Sequence, residues 1–263
     1  MKAYTHAGVF HADDVFSAAL LGIYYPEIEI ARTFNVPDDA ELVFDIGLGK
    51  FDHHQGNAEV RPNGVKYAAF GLLWREFGSL FVSDVESFDK NFVEPLDISD
   101  NTGIKNPISS LIGNFNPRWD STISADDAFM QAVEFATDIL AREFARIHSI
   151  ERASTLVKEF FTKSENGIVV LETFAPWQEV LVPEEKARFV VFPSQRGGWN
   201  AQHIPTELGG VVAKIPFPEN WNATSESFKR ETGGTFCHAS GFLCAFNTKE
   251  EAINACKIAI SRS

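Results

Sequence analysis

The sequence has too few basic residues to balance its acidic ones. Its 263 residues include 23 Lys and Arg but 36 Asp and Glu, which gives a net charge of −13. Broad, nonspecific binding to a phosphate backbone depends on clustered Lys and Arg, so this composition argues against it but leaves room for a local basic groove. Divalent cations neutralise clusters of carboxylates, and such a cluster would account for part of the acidity.

Cysteine is also scarce. Cys237, Cys244 and Cys256 are odd in number and lack the CxxC spacing of zinc and redox sites. Their neighbours in the sequence are apolar. We therefore expect all three to be buried as small hydrophobic residues rather than to form disulfides or bind zinc.

Long apolar runs are missing as well. The longest, such as residues 15–25, are interrupted by Ser or Gly and fall short of the roughly 20 residues that a bilayer requires. The first residues read as a strand and not as the basic, apolar and small-residue succession of a secretory signal. These features predict no membrane association and a cytoplasmic protein, and they leave homo-oligomer formation open.

What the sequence does contain is typical of a folded α/β protein. Apolar residues make up 44% and aromatic residues 13%, including 24 Phe. Alternating strands and helices near the N-terminus predict a parallel sheet. The predicted elements are strands at 2–5, 27–33 and 41–45, helices at 14–25, 64–77 and 86–96, a surface loop at 103–123, and a helical tract at 125–163 that is long enough to require a bend or break.

A second α/β unit is predicted after residue 166. Strands are expected at 168–171, 188–192 and 236–246, followed by a helix at 249–261. The chain would thus have two lobes. Their boundaries are predicted as a parallel-sheet α/β domain at 1–123, a helical connector at 124–165, and a smaller α/β domain at 166–263.

Histidine and carboxylate residues cluster in the first fifth of the chain. Four of the seven histidines lie in the first 54 residues, each beside an Asp or at the end of a predicted strand: His6, His11, His53 and His54. Asp45 ends an apolar strand, and open α/β sheets bind ligands at the carboxyl ends of their strands. Imidazole and carboxylate together suit manganese, zinc, cobalt or iron.

Two such ions about 3.5 to 4 Å apart can clamp the attacking and leaving oxygens of a phosphoryl group. Adjacent side chains in an extended segment point in different directions, so one of His53 and His54 should bind metal while the other faces substrate. Asp13, Asp14 and Asp52 could instead be helix caps or turn residues. That alternative is reasonable for one residue and much less so for the whole set.

These residues resemble the DHH phosphoesterase superfamily. The similarity is strongest to one branch, the melanocyte proliferating gene protein family, for which metal-dependent hydrolase and exonuclease activity is expected. Two motifs carry it: Thr5-His6-x-Gly8-x-Phe10-His11-x-Asp13 and Phe51-Asp52-His53-His54-Gln55. In the C-terminal half, Arg196-Gly197-Gly198-Trp199 and Cys237-His238-Ala239-Ser240-Gly241-Phe242 are also similar to that family, so the resemblance spans nearly the whole chain.

The resemblance implies two divalent ions, most readily Mn²⁺, with Mg²⁺, Co²⁺, Zn²⁺ and Fe²⁺ as alternatives. One ion would take His6, His11 and Asp45. The other would share Asp45 and add Asp13, His53 and Asp100, with Asp97 as the alternative to Asp100. The superfamily more often has a carboxylate where His11 stands, so the metal preference stays open.

The resemblance also implies roles for the remaining motif residues. His54 would face the scissile phosphate, Asp52 would orient a histidine, and metal-activated hydroxide would be the nucleophile. Substrate would be held by a set in the second domain: Arg196, Gly197, Gly198, His238, Ser240 and Gly241.

The function predicted on this basis is a metal-dependent phosphodiesterase with exonuclease-like action on RNA or DNA ends. A small-molecule phosphoesterase or pyrophosphatase would suit the acidic chain better. A binding protein for nucleotides or metal, without turnover, is the third hypothesis.

Overall fold

A computed structural model describes residues 1–221 and 225–263. The chain divides into two compact units, Met1–Arg146 and Ile147–Ser263. The first unit is built on a parallel sheet and the second on a mixed sheet. The α/β fold class predicted from the sequence is therefore confirmed.

The sheet of the first unit has three parallel strands in the order β2-β1-β3. The strands are β1 Lys2–His6, β2 Glu29–Thr33 and β3 Leu42–Val43. Parallel pairing places the carboxyl ends of all three strands at the same edge of the sheet. His6 ends β1 at that edge, and Asp45 follows β3 by two residues.

Helices surround this sheet. In the first unit they are α1 Ala12–Tyr24, α2 Ala69–Phe77, a 3₁₀ turn Gly78–Leu80, α3 Val85–Phe88, a π-helical turn Asp89–Val93, α4 Glu94–Thr102 and α5 Pro107–Gly113. Helix α1 is buried along nearly its whole length, which makes it the central helix of this unit.

Several predicted elements of this unit were wrong in their limits, among them the helix predicted at 64–77, which begins only at Ala69. Residues 103–123 were predicted as a loop, yet α5 forms within them, with Asn106 as its N-cap and Pro107 at its first position. Asn-Pro is also a turn signal, which hides so short a helix in the sequence. The helix predicted at 86–96 continues to Thr102 after the π-helical turn, because Pro95 occupies a first-turn position of α4.

Helix α6, Ala125–Thr162, belongs to both units. A bend or break was predicted for a tract of this length; the break does not occur, because the structure has one uninterrupted helix of 38 residues, and the bend stays a prediction. Within each half its buried residues recur at three- and four-residue intervals, but no residue between Phe144 and Ala153 is buried, so each half has its own apolar face. The buried residues include Phe129, Ala132, Ala136, Leu140, Ala153 and Val157.

The second unit contains a five-stranded sheet in the order β4-β5-β6-β8-β7. The strands are β4 Ile168–Val170, β5 Phe189–Pro193, β6 Trp199–His203, β7 Phe236–Cys237 and β8 Leu243–Phe246. Only β4 and β5 pair in parallel. The run predicted as one strand at 236–246 is a hairpin, and β6 was not predicted.

Among the described residues of the second unit, the helices that belong to it alone are α7 Gln178–Leu181, α8 Glu226–Thr232 and α9 Lys249–Ser261. The limits of α9 match the prediction, since a Thr248 and Glu251 capping box marks its start. Cys237, Cys244 and Cys256 are buried and free of disulfides, as predicted. Among the described helices, none combines the length and apolarity needed to cross a bilayer.

Candidate metal centre

Histidines and carboxylates converge at the carboxyl edge of the parallel sheet. They come from the end of β1, the first turn of α1, the segment after β3, and the last turn of α4. An isolated parallel bridge joins Phe44 to Phe51, and the Asp45 amide donates to the Phe51 carbonyl at 2.9 Å. This bridge brings residues 52–54 back beside Asp45.

Asp45 lies between two histidines. Its Oδ1 is 3.1 Å from His53 Nε2, and its Oδ2 is 3.2 Å from His6 Nε2. The carboxylate is only 3% exposed. Asp45 adopts φ 56°, a left-handed conformation that Asp tolerates better than most residues. The structure thus places Asp45 between His6 and His53, and its predicted place between two ions remains a prediction.

Asp13 and Asp100 complete a group around His53. His53 Nε2 lies 3.5 Å from Asp13 Oδ2 and 3.4 Å from Asp100 Oδ2. Asp13 is fully buried, and neither of its carboxylate oxygens has a hydrogen-bond partner among the described residues. A buried carboxylate without a partner is costly, and a bound cation would remove that cost. The structure thus brings together all four residues predicted for the second ion.

Asp97, the alternative to Asp100, lies elsewhere. Its carboxylate contacts Arg61 Nη2 at 2.8 Å and accepts a hydrogen bond from the Gly71 amide at 3.2 Å. Asp97 and Asp100 are three residues apart and so lie on the same side of α4, yet their carboxylates have different partners. The structure therefore favours Asp100 at the centre and gives Asp97 to a buried ion-pair network.

His11 is farther from the residues predicted to share an ion with it. Its side chain is 59% exposed, and Nδ1 is 3.9 Å from Asp100 Oδ1. The His6 and His11 rings are 6.1 Å apart. In this geometry His11 groups with Asp13 and Asp100, whereas His6 groups with Asp14 and Asp45. The predicted set of His6, His11 and Asp45 remains a prediction.

Asp14 is a member of the cluster that sequence reasoning treated only as a helix cap. It does act in that way, because its Oδ1 accepts a hydrogen bond from the His11 amide at 3.0 Å. Its Oδ2 also lies 3.0 Å from His6 Nε2, and the residue is fully buried. The signal available in the sequence was the Asp13-Asp14 pair, since two adjacent acids at a buried helix start require two separate partners.

Electrostatic coupling in the cluster is strong. Hydrogen bonds raise the pKa of His6 to about 10. The bond to Asp14 contributes most, and the bond to Asp45 contributes second. Burial acts to raise the pKa of Asp45, but hydrogen bonds from His53 and His6 outweigh it and lower that pKa to about 2. Burial, with the nearby charges of Asp45 and Asp100, raises the pKa of Asp13 well above its usual range.

A side-chain amide fixes the orientation of His53. The Asn101 Nδ2 group donates to the carbonyls of Asp97 at 3.0 Å and Tyr67 at 3.2 Å. Its Oδ1 must then face the other way, and it lies 3.3 Å from His53 Nδ1. Nδ1 is therefore the donor in this contact, which turns Nε2 toward the carboxylates. The sequence analysis did not assign Asn101 a role.

His54 and Asp52 form a second pair. His54 Nδ1 lies 2.7 Å from Asp52 Oδ1, and 58% of the His54 side chain is exposed. The Leu48 amide donates to Asp52 Oδ2 at 2.6 Å. Leu48 adopts φ 56°, which is strained for a branched residue, so the surrounding loop must enforce this contact. His54 and Asp52 are thus arranged as the predicted orienting pair.

An open cleft of about 980 Å³, the metal cleft, contains this cluster. Its lining includes His6, His11, Asp45, Asp52, His53, His54, Asp100 and Asn101. The apolar side chains of Val9 and Leu48 also line the cleft, and they are 66% and 65% exposed.

The six residues predicted to hold substrate all lie in the second unit. Arg196, Gly197 and Gly198 line a separate cleft of that unit. Gly198 has φ +71°, and a Cβ there would collide with the carbonyl of Phe246, so the fold requires glycine. His238, Ser240 and Gly241 form the turn between β7 and β8, where His238 Nδ1 is 2.8 Å from Ser240 Oγ. These three are not part of that cleft's lining.

Comparison with known proteins places the chain in a family. Residues 2–260 match the family model MYG1_exonuc, described as an uncharacterised protein family (UPF0160). No solved structure matches the chain.

Similar proteins occur in distant organisms. The MYG1 exonuclease of Mus musculus is 27% identical over 98% of this chain and 84% of its own length. A MYG1 protein of Schizosaccharomyces pombe is 25% identical, covering 99% and 97% of the two chains. A MYG1 protein of Chlamydia pneumoniae is 28% identical, covering 97% and 95%. Because the family model covers nearly all of its length, the chain belongs to the MYG1_exonuc family.

Proposed function

We propose that the protein is a divalent-metal-dependent phosphodiesterase that hydrolyses RNA or DNA from an end. One observation carries the proposal. A histidine nitrogen, His53 Nε2, lies within 3.5 Å of three buried or half-buried carboxylates, one of which has no hydrogen-bond partner among the described residues. The mammalian relatives named MYG1 exonuclease support the choice of substrate.

The donor set fits divalent metal. Mixed imidazole and carboxylate ligands suit Mn²⁺, Zn²⁺, Co²⁺ or Fe²⁺ better than Ca²⁺, and Mg²⁺ would bind through the carboxylates. We propose Asp13, Asp45, His53 and Asp100 as one ligand group. His6, Asp14 and Asp45 would form a second group, and His11, which the family resemblance assigns to this ion, is the alternative third member. When bound, such ions polarise a phosphoryl group and activate water for attack.

The other residues of the metal cleft have supporting roles in this proposal. Asp52 accepts a hydrogen bond from His54 Nδ1, and in its protonated form His54 would also carry a proton on Nε2 to donate to a phosphate oxygen or to the leaving group. Burial acts to raise the pKa of Asp52, but hydrogen bonds led by that from His54 lower it, so Asp52 stays ionised and holds the ring. In the second unit, Arg196, Gly197, Gly198, His238, Ser240 and Gly241 are proposed to bind substrate.

The test uses short, end-labelled single-stranded RNA with Mn²⁺, alongside bis-p-nitrophenyl phosphate and pyrophosphate. We expect stepwise shortening of the RNA that stops when EDTA is added. Turnover of the two small compounds alone would replace the proposal with a small-molecule phosphoesterase, which the net charge of −13 favours. Inactivity on all three would leave a binding protein without turnover.

Replacing Asp13 with Asn should change stability in opposite directions with and without metal. In EDTA we expect Asp13→Asn to unfold at a higher temperature than wild type, because it removes a buried charge crowded by Asp45 and Asp100. When folding raises the pKa of a carboxyl, the protein loses stability as that group ionises. The stability gained by Asp13→Asn should therefore grow as the pH rises. Mn²⁺ at about 100 times its Kd should stabilise wild type by about 2.7 kcal/mol and the variant much less.

Thermal unfolding with Mn²⁺ and with EDTA measures both effects. The matched control is Asp39→Asn, which changes an exposed carboxylate of the same unit and should alter neither value. Equal stabilisation of wild type and Asp13→Asn by Mn²⁺ would contradict the proposed ligand group.

Replacing Asn101 with Leu should weaken metal binding without removing a ligand. The change keeps the side-chain size but abolishes the contact that directs His53 Nε2 toward the carboxylates. Loss of such an outer partner usually lowers metal affinity by about 10- to 100-fold. Titration with Mn²⁺ measures the affinity.

The control for Asn101→Leu is Asn91→Leu, since Asn91 is exposed and bonds only locally to Ser87. We expect wild type and Asn91→Leu to bind Mn²⁺ with the same affinity, and Asn101→Leu to bind it more weakly. Unchanged affinity in Asn101→Leu would rule out this role for Asn101.

A further inference from the structure

The sheet of the second unit is covered unequally on its two faces. On one face, side chains including Val191, Ala201 and Cys244 pack into a continuous core with α8 and α9. On the other face, Val190 and Phe192 pack against residues of α6 and α7, among them Val157 and Leu181. That second core covers β4 and β5 and reaches Leu243 of β8, but it includes no described residue of the edge strand β7.

Strand register defines what lies on the uncovered part. Phe192 pairs with Asn200, Asn200 with Ala245, and Ala245 with Phe236. Directly paired residues point to the same face of a sheet. One row across four strands therefore presents an aromatic ring, a side-chain amide, a small residue and a second aromatic ring. Phe236 is 41% exposed, which is unusual for a large apolar residue in a sheet.

This row forms the floor of a cleft of about 890 Å³, which we call the sheet cleft. Phe174, 52% exposed, adds an aromatic wall whose ring is 5.2 Å from that of Phe192. The 193–198 turn closes one end, and Asn247 lies at the edge. Aromatic surface beside a side-chain amide is the combination with which proteins stack a base and read its edge.

The charge of the sheet cleft is opposite to that of the chain as a whole. Among the described residues that line it there is no carboxylate, although the chain carries 36 Asp and Glu. The single charged side chain is Arg196, whose guanidinium has neither a salt bridge nor a hydrogen bond to any described residue. Asn200 likewise makes no side-chain hydrogen bond within the described part of the chain. The cleft thus offers an unpaired cation and an unpaired amide beside exposed rings.

We propose that the sheet cleft binds a nucleotide through its base, which stacks on Phe236 and bonds to Asn200, while Arg196 contacts the phosphate. The ligand class rests on the proposed function, since a nucleic-acid end supplies such a nucleotide. The lining of the cleft is independent evidence, because it comes only from residues of the second unit. The site adds base recognition by Phe236 and Asn200, which the family resemblance does not assign.

The test measures binding to the full chain in EDTA, so that metal-mediated contacts do not contribute. Calorimetric titrations compare adenosine monophosphate, ribose 5-phosphate and inorganic phosphate. We expect the base-bearing ligand to bind at least about tenfold more tightly than ribose 5-phosphate, which is the size of effect that base stacking gives. Equal affinity for these two ligands would overturn the proposal.

A pair of substitutions separates stacking from folding. Phe236→Leu keeps apolar bulk but removes the ring, and it should reduce adenosine monophosphate binding to the level of ribose 5-phosphate. Phe236→Tyr keeps the ring and should bind nearly as wild type, with unchanged thermal unfolding in both variants. Asn200→Ala should lower the affinity for the base-bearing ligand, whereas Leu208→Ala, at an exposed loop position, should not change it.

The two proposals fail in different ways. Tight adenosine monophosphate binding without any metal-dependent RNA shortening would overturn the proposed function and keep the base site. RNA shortening with wild-type rates in Phe236→Leu, together with equal binding of the ligands with and without a base, would overturn the base site and keep the proposed function.

Discussion

Replacing Asp45 with Asn is expected to abolish the proposed hydrolysis while leaving the fold intact. Asn has nearly the same shape, but its amide nitrogen cannot serve as a metal ligand. Asp45 is the residue that the structure places between His6 and His53, so the change affects both ligand groups. Loss of a residue that only orients a metal ligand lowers metal affinity by about 10- to 100-fold. Loss of a carboxylate common to both ligand groups should lower the affinity further.

RNA shortening in Mn²⁺ measures this effect, and Mn²⁺ titration tests its cause. Asp39→Asn is again the matched control, since it removes one exposed carboxylate from the same unit. Near-normal turnover in Asp45→Asn with a normal melting temperature would show that chemistry occurs at another site. Loss of turnover with undiminished metal binding would show that Asp45 acts on substrate instead.

Replacing Arg61 with Met should cause the largest loss of stability. The Arg61 side chain is 3% exposed and makes two hydrogen bonds to Asp89, at 2.6 and 2.7 Å. It also lies 2.8 Å from Asp97, which is fully buried and three residues before Asp100. Breaking one side of a buried ion pair costs about 3–5 kcal/mol, because the remaining charge stays buried.

Arg75→Met is the matched control for this change. Arg75 makes the same two-bond contact with Glu59, but at the surface, with 43% and 58% of the two side chains exposed. Exposed pairs contribute about 0–1 kcal/mol. In urea unfolding, the loss of unfolding free energy should therefore be several-fold larger for Arg61→Met than for Arg75→Met. Similar losses in both would show that the buried network stabilises no more than a surface pair.

The pH dependence of Arg61→Met gives a further check. Burial raises the pKa of Asp97 to about 7, even though Arg61 acts to lower it. A carboxyl whose pKa is raised in the folded state contributes stability that is full below its unfolded value of 3.8 and is lost as the pH rises through about 7. Without Arg61, the ionised form of Asp97 destabilises the fold more. The stability lost in Arg61→Met should therefore become smaller as the pH falls from 8 toward about 5.

Much of the site could be predicted because its residues are close in sequence to strong local signals. His6 ends a strand, Asp13 opens a helix, and Asp45 follows an apolar strand, so parallel pairing brings them to one edge. Asp100 was predicted instead from the family resemblance, and its place in the last turn of α4 depends on how far that helix extends. Its extension to Thr102 became visible only in the structure.

What could not be predicted depends on contacts between distant segments. The role of Asn101 follows from carbonyls of residues 67 and 97 that lie near it only after folding. Strand β6 has polar Asn200 and Gln202 alternating with Ala201 and His203, so its weak apolar pattern hides a central strand. The Arg61 network was missed because a single Arg between Val60 and Pro62 gives no sign of burial.

The continuous helix α6 limits how the protein can be divided. Its first half supplies Phe129 and Leu140 to one unit, and its second half supplies Ala153 and Val157 to the core around Trp177 and Leu181. A fragment beginning at the predicted boundary near residue 166 would lack that second half and expose the apolar surface it covers. The shortest self-sufficient C-terminal piece should therefore begin near Ile147, within the helix, and carry a helical N-terminal extension.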